Sequence, residues 1–164
     1  MRILGIDPGL VATGYGMIVA EGDRMECLAA GVIRPNSTAL DCRLLQIHTE
    51  LTALLHEFIP DAMALEDLFT VYNHPKTAVL MGHARGVICL AAAQRAVPVI
   101  NIAPTEVKRA VTGHGHASKE QVQRMVQGLL RLPALPTPDH VSDALAMAIC
   151  HATRERSPAA RFRR

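Results

Sequence analysis

The apolar residues of this chain change period once, and that change constrains the fold more than any other feature. Up to about residue 33 they come in short extended runs. From Leu40 onward they fall mostly at helical spacing. RILGID (2–7) is almost continuously apolar, as suits a central strand covered on both faces. TGYGMIVAEG and RMECLAAGVIR predict two further strands, with EGD as a tight hairpin connection. The chain therefore opens as a three-stranded antiparallel meander.

Leu40, Leu44, Ile47, Leu51, Leu54, Leu55 and Phe58 then mark an amphipathic helix that Pro60-Asp61 ends. AMALE (62–66) is a short apolar strand. A long helix follows over about 75–95, then the strand VPVINI and a short helix from Pro104 to about Val111. GHGHA is a flexible link. Ser118 and Gln121 form a capping-box pattern for a helix over 119–130. Thr137 as N-cap with Pro138 at the first helical position opens the last helix, which buries Val141, Leu145, Ala148, Ile149 and Ala152. The order β-β-β-α-β-α-β-α-α-α predicts an α/β fold: a five-stranded mixed sheet with helices on both faces. One domain over 1–156 is expected, with a basic, flexible tail at 157–164.

With 49% hydrophobic and 20% charged residues, the 164-residue chain can bury a core, and 3% aromatics without Trp make that core aliphatic. The net charge of +2 implies no polyanionic partner by itself, but it is unevenly spread. RERSPAARFRR carries five Arg against one Glu, and KRAVTGHGHASK holds three basic residues, two His and no acid. Such runs are either solvated surface or phosphate-binding tracks. Cys27, Cys42, Cys89 and Cys150 lack metal-binding spacing and predict reduced, buried thiols. The first apolar run stops at Asp7 and no run approaches ~18 apolar residues, so neither a leader nor a membrane span is expected, and the cytoplasm is the expected compartment.

Two strands end in carboxylates, RILGID at Asp7 and AMALE at Glu66. Alone, Asp7 reads as a turn former before Pro8-Gly9 and Glu66 as a surface acid. Together they read differently. Ligand sites in sheets with helical crossovers lie beyond the carboxyl ends of strands. Parallel neighbours stand about 4.8 Å apart, close enough for two carboxylates to share one Mg²⁺. In PTPDHVSDALAMAI, His140 and Asp143 lie three residues apart on one helix face, with Asp143 at the edge of the buried stripe. Asp139 is explained by favourable charge at a helix N-terminus; Asp143, nearly two turns in, is not.

IDPGL-x₃-GYG, ALEDLF, LMGHARG, VKRAVTGHGHASK and DHVSDALAMAI together resemble the blocks of the RuvC family of Holliday-junction resolvases, in that family's order, from Met1 to about His151. The resemblance implies a ribonuclease-H-like fold and an endonuclease that resolves four-way DNA junctions by paired symmetric nicks in recombination and repair. It implies two-metal hydrolysis with Mg²⁺ or Mn²⁺, leaving a 5′ phosphate and a 3′ hydroxyl. The family's acids fall on Asp7, Glu66 and Asp143. Many members have Asp where this chain has His140, which could ligate metal through nitrogen, suiting Mn²⁺, or act as a base. Lys108 and Lys119 match the family's basic positions at the scissile phosphate. Phe69 matches an aromatic that meets bases near the junction centre. The helix KTAVLMGHARGVICLAAAQR, apolar on nearly every side with Gly82, Ala84 and Gly86, matches a homodimer helix. A branch-migration motor is a further partner implied by the family alone. IDPG by itself also fits an RNA-processing nuclease of the same fold or an actin-like ATPase, and a non-catalytic junction binder is a third alternative.

Overall fold

A computed structural model describes residues 1–67 and 75–156. Phe69 and the tail at 157–164 lie outside the described residues. The strands are β1 (Arg2–Asp7), β2 (Thr13–Glu21), β3 (Arg24–Ile33), β4 (Ala62–Glu66) and β5 (Val99–Ile102). The helices are α1 (Leu40–Phe58), α2 (Pro75–Gln94), α3 (Pro104–Thr112), α4 (Lys119–Leu130) and α5 (Asp139–Arg156). The order is the one the sequence predicts.

The strands form one sheet in the order β3-β2-β1-β4-β5. β1 pairs antiparallel with β2 and parallel with β4, and β4 runs parallel with β5. The hairpin between β2 and β3 turns on two residues, with Gly22 at a positive φ of 55° that its missing Cβ makes inexpensive. β1 is central and buried on both faces, which explains its unbroken apolar character.

Side-chain alternation divides the interior into two cores. Ile3 and Ala64 face α3, α4 and α5, whereas Leu4, Ile6, Met63 and Leu65 face α1 and α2. Asp7 continues the first set on β1 and Glu66 the first set on β4, so both acids emerge on the α5 side. α5 buries all five residues expected of it.

Three expectations need correction. α5 starts at Asp139, one residue later than Pro138 would have it: Pro138 stays just outside the helix and accepts from the Val141 N–H at 2.9 Å through its carbonyl. The thiols are free, but only Cys150 is buried; Cys42 is exposed. At ~100° per residue, Cys42 stands about 140° around α1 from Ile47, outside the stripe that buries Ile47, Leu51 and Leu55. Leu40, at the start of α1, remains 37% exposed. No helix among the described residues is long and apolar enough to cross a membrane.

Candidate active site

The cleft at the carboxyl ends of β1 and β4 encloses about 640 Å³ and is lined by Asp7, Glu66, Lys108, Lys119, Asp139, His140 and Asp143, with the 8–12 loop on one wall. Each polar residue has a local reason to be there. The parallel register places Ile6 opposite Leu65, so the next residues, Asp7 and Glu66, end neighbouring strands at matching height. The loop after Asp7 is clipped back on itself: the Gly9 N–H donates to the Thr13 hydroxyl at 3.3 Å, and that hydroxyl donates to the Gly9 carbonyl at 2.6 Å.

α5 comes down onto β1 and β2 with almost no side-chain layer between. A Cβ on Gly14, which pairs with Asp7, would stand 2.0 Å from the His140 carbonyl oxygen. A Cβ on Gly5 would stand 1.9 Å from that of Ala144. This close approach brings the first turn of α5 over Asp7, where His140 Nδ1 meets Asp7 Oδ2 at 2.6 Å. A carboxylate only accepts, so Nδ1 is the donor of this bond and Nε2 stays outside it. Asp143, one turn on, faces the same cleft.

α4 supplies the cation. Ser118 and Gln121 complete the capping box, with the Ser118 N–H donating to Gln121 Oε1 at 2.8 Å and the Gln121 N–H donating to Ser118 Oγ at 3.3 Å. That cap fixes Lys119 as the first helical residue, 3.9 Å from both Asp139 and Asp143. These contacts are exposed and contribute little stability.

Burial and mutual repulsion dominate the electrostatics. Glu66 is pushed up to about 7, first by desolvation and then by the charges of Asp7 and Asp143. Desolvation also raises Asp7, against the lowering effects of the His140 hydrogen bond and of the charges of His140 and Lys119. Asp143 is raised by desolvation and by the charge of Asp7. Three carboxylates that resist ionising together form a cluster a divalent cation would relieve, so the donor set fits a hard metal. Among the described residues no three His, Cys, Asp or Glu side chains already stand close enough together to hold a metal ion.

The structure therefore gathers Asp7, Glu66, His140, Asp143, Lys119 and Lys108 into one cleft; Phe69 lies outside the described residues. Sequence reasoning left out Asp139, which lines the cleft beside Lys119. It also missed Arg85, which reaches the end of β4 from α2 and for which a cation midway along a largely apolar helix was the available signal.

The crossover junction endodeoxyribonuclease RuvC family model matches residues 3–151. The chain belongs to the RuvC family. A crossover junction endodeoxyribonuclease RuvC of Syntrophomonas wolfei is 48% identical over 153 residues, covering 92% of this chain and 88% of its own length. One of Rhodopirellula baltica is 50% identical over 149 residues, covering 90% and 84%. A solved structure of Thermus thermophilus RuvC in complex with a Holliday junction substrate superposes with a TM-score of 0.89 at 39% identity, covering 95% of both chains. Membership selects, among the readings that IDPG alone allows, an endodeoxyribonuclease of crossover junctions with a ribonuclease-H-like sheet. The family's divalent-metal dependence agrees with the carboxylate cluster.

Proposed function

We propose that this cleft hydrolyses one phosphodiester of a four-way DNA junction, a second copy of the chain nicking the opposed strand, with two divalent ions, Mg²⁺ or Mn²⁺, per cleft. When bound, those ions supply Lewis acidity at the phosphate, an activated water and stabilisation of the leaving 3′ oxygen. The observation that carries the reading is the set of three mutually repelling carboxylates, Asp7, Glu66 and Asp143, at one end of the sheet.

Asp7, on the central strand, would hold the ions together with Glu66 and Asp143 from the same cleft. The Asp7 contact fixes the His140 ring, so that Nε2 can either ligate or take a proton from the attacking water; metal-linked placement suits its proximity to Asp7 better. Lys119 balances charge at the cleft mouth and is positioned to meet the scissile phosphate, with Lys108 extending the basic track. Phe69 belongs to the same proposal as an aromatic contact to bases near the crossover.

A symmetric junction calls for two clefts, and the outward side of α2 supports a homodimer: Val79 is 61% exposed and Leu90 51%. A Cβ on Gly82 or Gly86 would meet nothing within 4 Å, so a second helix can approach there. A cytoplasmic location and a branch-migration motor as partner complete the reading.

Asp7→Asn tests it. Junction affinity in chelator, measured by gel shift, should stay within about 3-fold of the parent. Metal-dependent cleavage should fall by at least ~10³-fold, the order expected when several kcal/mol of charge stabilisation is lost. Cleavage persisting near the parent rate would overturn the assignment of Asp7.

A further inference from the structure

Behind the carboxylates, on the other face of the sheet, lies a cation that the mechanism above does not use. Arg85 sits midway along α2 with its side chain only 13% exposed. Its Nη1 donates to the backbone carbonyl of Glu66, and its Nη2 donates to Asn101 Oδ1 at 2.5 Å. The same Nη2 lies 3.8 Å from Asp67 Oδ1. All three partners sit at the carboxyl ends of β4 and β5 or just past them. Alternation explains how this happens: Leu65 faces α2 while Glu66 faces α5, so a group from α2 reaches the Glu66 backbone without competing for its carboxylate.

We propose that Arg85 is a positioning residue for the metal-binding acid Glu66, holding its backbone from behind and thereby fixing where its carboxylate stands relative to Asp7. A guanidinium suits the task because its planar fork offers several donors in fixed directions, so that gripping Asn101 with one nitrogen orients the other on Glu66. A lysine ammonium carries the same charge without that fork. The Arg85 charge also opposes the upward pressure that burial, Asp7 and Asp143 exert on Glu66. Asp67, whose N–H donates to the Ile102 carbonyl at 2.9 Å, joins the end of β4 to β5 at the same point. The clamp thus spans two strands and one helix where the sheet ends and the cleft begins.

This inference rests on the metal reading of Glu66, and the test separates the two. Mn²⁺ binding to the full chain without DNA is measured by calorimetry, beside thermal melting. Glu66→Gln should abolish or greatly weaken Mn²⁺ binding. Arg85→Ala should weaken it by about 10–100-fold, the range for removing a group that orients a ligand. Arg85→Lys should recover only part of the loss. Asn101→Ala, which releases one arm of the fork and leaves Arg85 in place, should cost a few-fold.

If Glu66→Gln binds Mn²⁺ as tightly as the parent, the metal reading itself fails and takes the clamp with it. If Glu66→Gln loses Mn²⁺ while Arg85→Ala binds within 2-fold of the parent, only the clamp fails. Full recovery by Arg85→Lys would replace positioning by simple charge and also overturn the proposal. Should Arg85→Ala not fold, Asn101→Ala decides: unchanged Mn²⁺ affinity there rejects the clamp, and a weakened one supports it.

Discussion

The two faces of the sheet use glycine in opposite ways. Toward α5, Gly5 and Gly14 are occupied from outside: any side chain there would run into helix backbone, at 1.9 Å and 2.0 Å respectively. Toward α1 and α2, β1 presents Leu4 and Ile6, both fully or almost fully buried, so a layer of side chains separates strand from helix. Gly31 of β3 is filled there by the Tyr15 ring, a side chain rather than helix backbone, and the glycines of α2 itself, at positions 82 and 86, look onto open space. Backbone-to-backbone packing places His140 and Asp143 over Asp7. Side-chain packing holds α2 on the fold and leaves its outer surface for another molecule. Chemistry sits where the approach is closest, and the proposed self-association sits where it is open.

The largest effect comes from filling the closed side. Gly5→Ala puts a methyl group against the Ala144 carbonyl, which is helix backbone and cannot swing aside as a side chain can. Overpacking of this kind costs about 1–3 kcal/mol, and the upper end or beyond is expected here. Gly14→Ala should cost a similar amount in denaturant titration. It should also reduce cleavage more than Gly5→Ala does, because the carbonyl it displaces is that of His140 itself. Equal activity losses in the two variants would mean that α5 shifts as a rigid rod and that the contact at His140 has no special role.

A second, smaller effect belongs to the closed side and is read through pH. Glu66 has its folded value raised to about 7 from an ordinary 4.5, so folding favours its protonated form. Its stabilising contribution is fully present below about pH 4.5 and is lost as pH rises through about 7. The whole shift would convert to more than this, but part of the group sees solvent, so about 1–2 kcal/mol is expected. In chelator, melting temperature should therefore fall by a few degrees between pH 5 and pH 8. Glu66→Gln should flatten that decline, and Mn²⁺ added at pH 8 should reverse it. His151, buried on α5, acts with the opposite sign: burial lowers its value from the usual 6.5, so its contribution is lost as pH falls through that lowered value. A decline that survives in Glu66→Gln would assign the effect to other groups.

The sequence made the closed side more legible than the open one, for physical reasons. Strand alternation and helical spacing are local, so every element appeared in order and the boundaries of α4 followed directly from Ser118 and Gln121. Asp7 and Glu66 were readable as a pair because each ends an apolar run. The hydrogen bond of His140 to Asp7 was not, since it spans 133 residues of sequence and depends on a missing side chain at position 14. The start of α5 was misplaced by one residue because Thr-Pro reads as cap and first helical position, whereas Pro138 sits just before the helix and contributes only its carbonyl. Arg85 was overlooked as a clamp because a lone arginine in an apolar helix carries no mark of its partner until Asn101 and the Glu66 carbonyl are beside it.

The smallest expected effect tests the open side, and its sign should be reversed. A glycine within a helix costs about 0.5–1 kcal/mol relative to alanine, through the freedom it loses on folding. At Gly86 a methyl group would meet nothing within 4 Å in the single chain, so Gly86→Ala should stabilise an isolated protomer by that amount. If a second copy packs its own α2 against this surface, the same methyl group enters the contact and weakens the dimer. Sedimentation across a concentration series and denaturant titration at low concentration measure the two effects separately. A stabilised protomer with weakened association places Gly86 in the interface between copies. A stabilised protomer with unchanged association moves any interface away from this turn of α2, toward Val79 or Leu90, and a destabilised protomer would show that the space beside Gly86 is not open in solution.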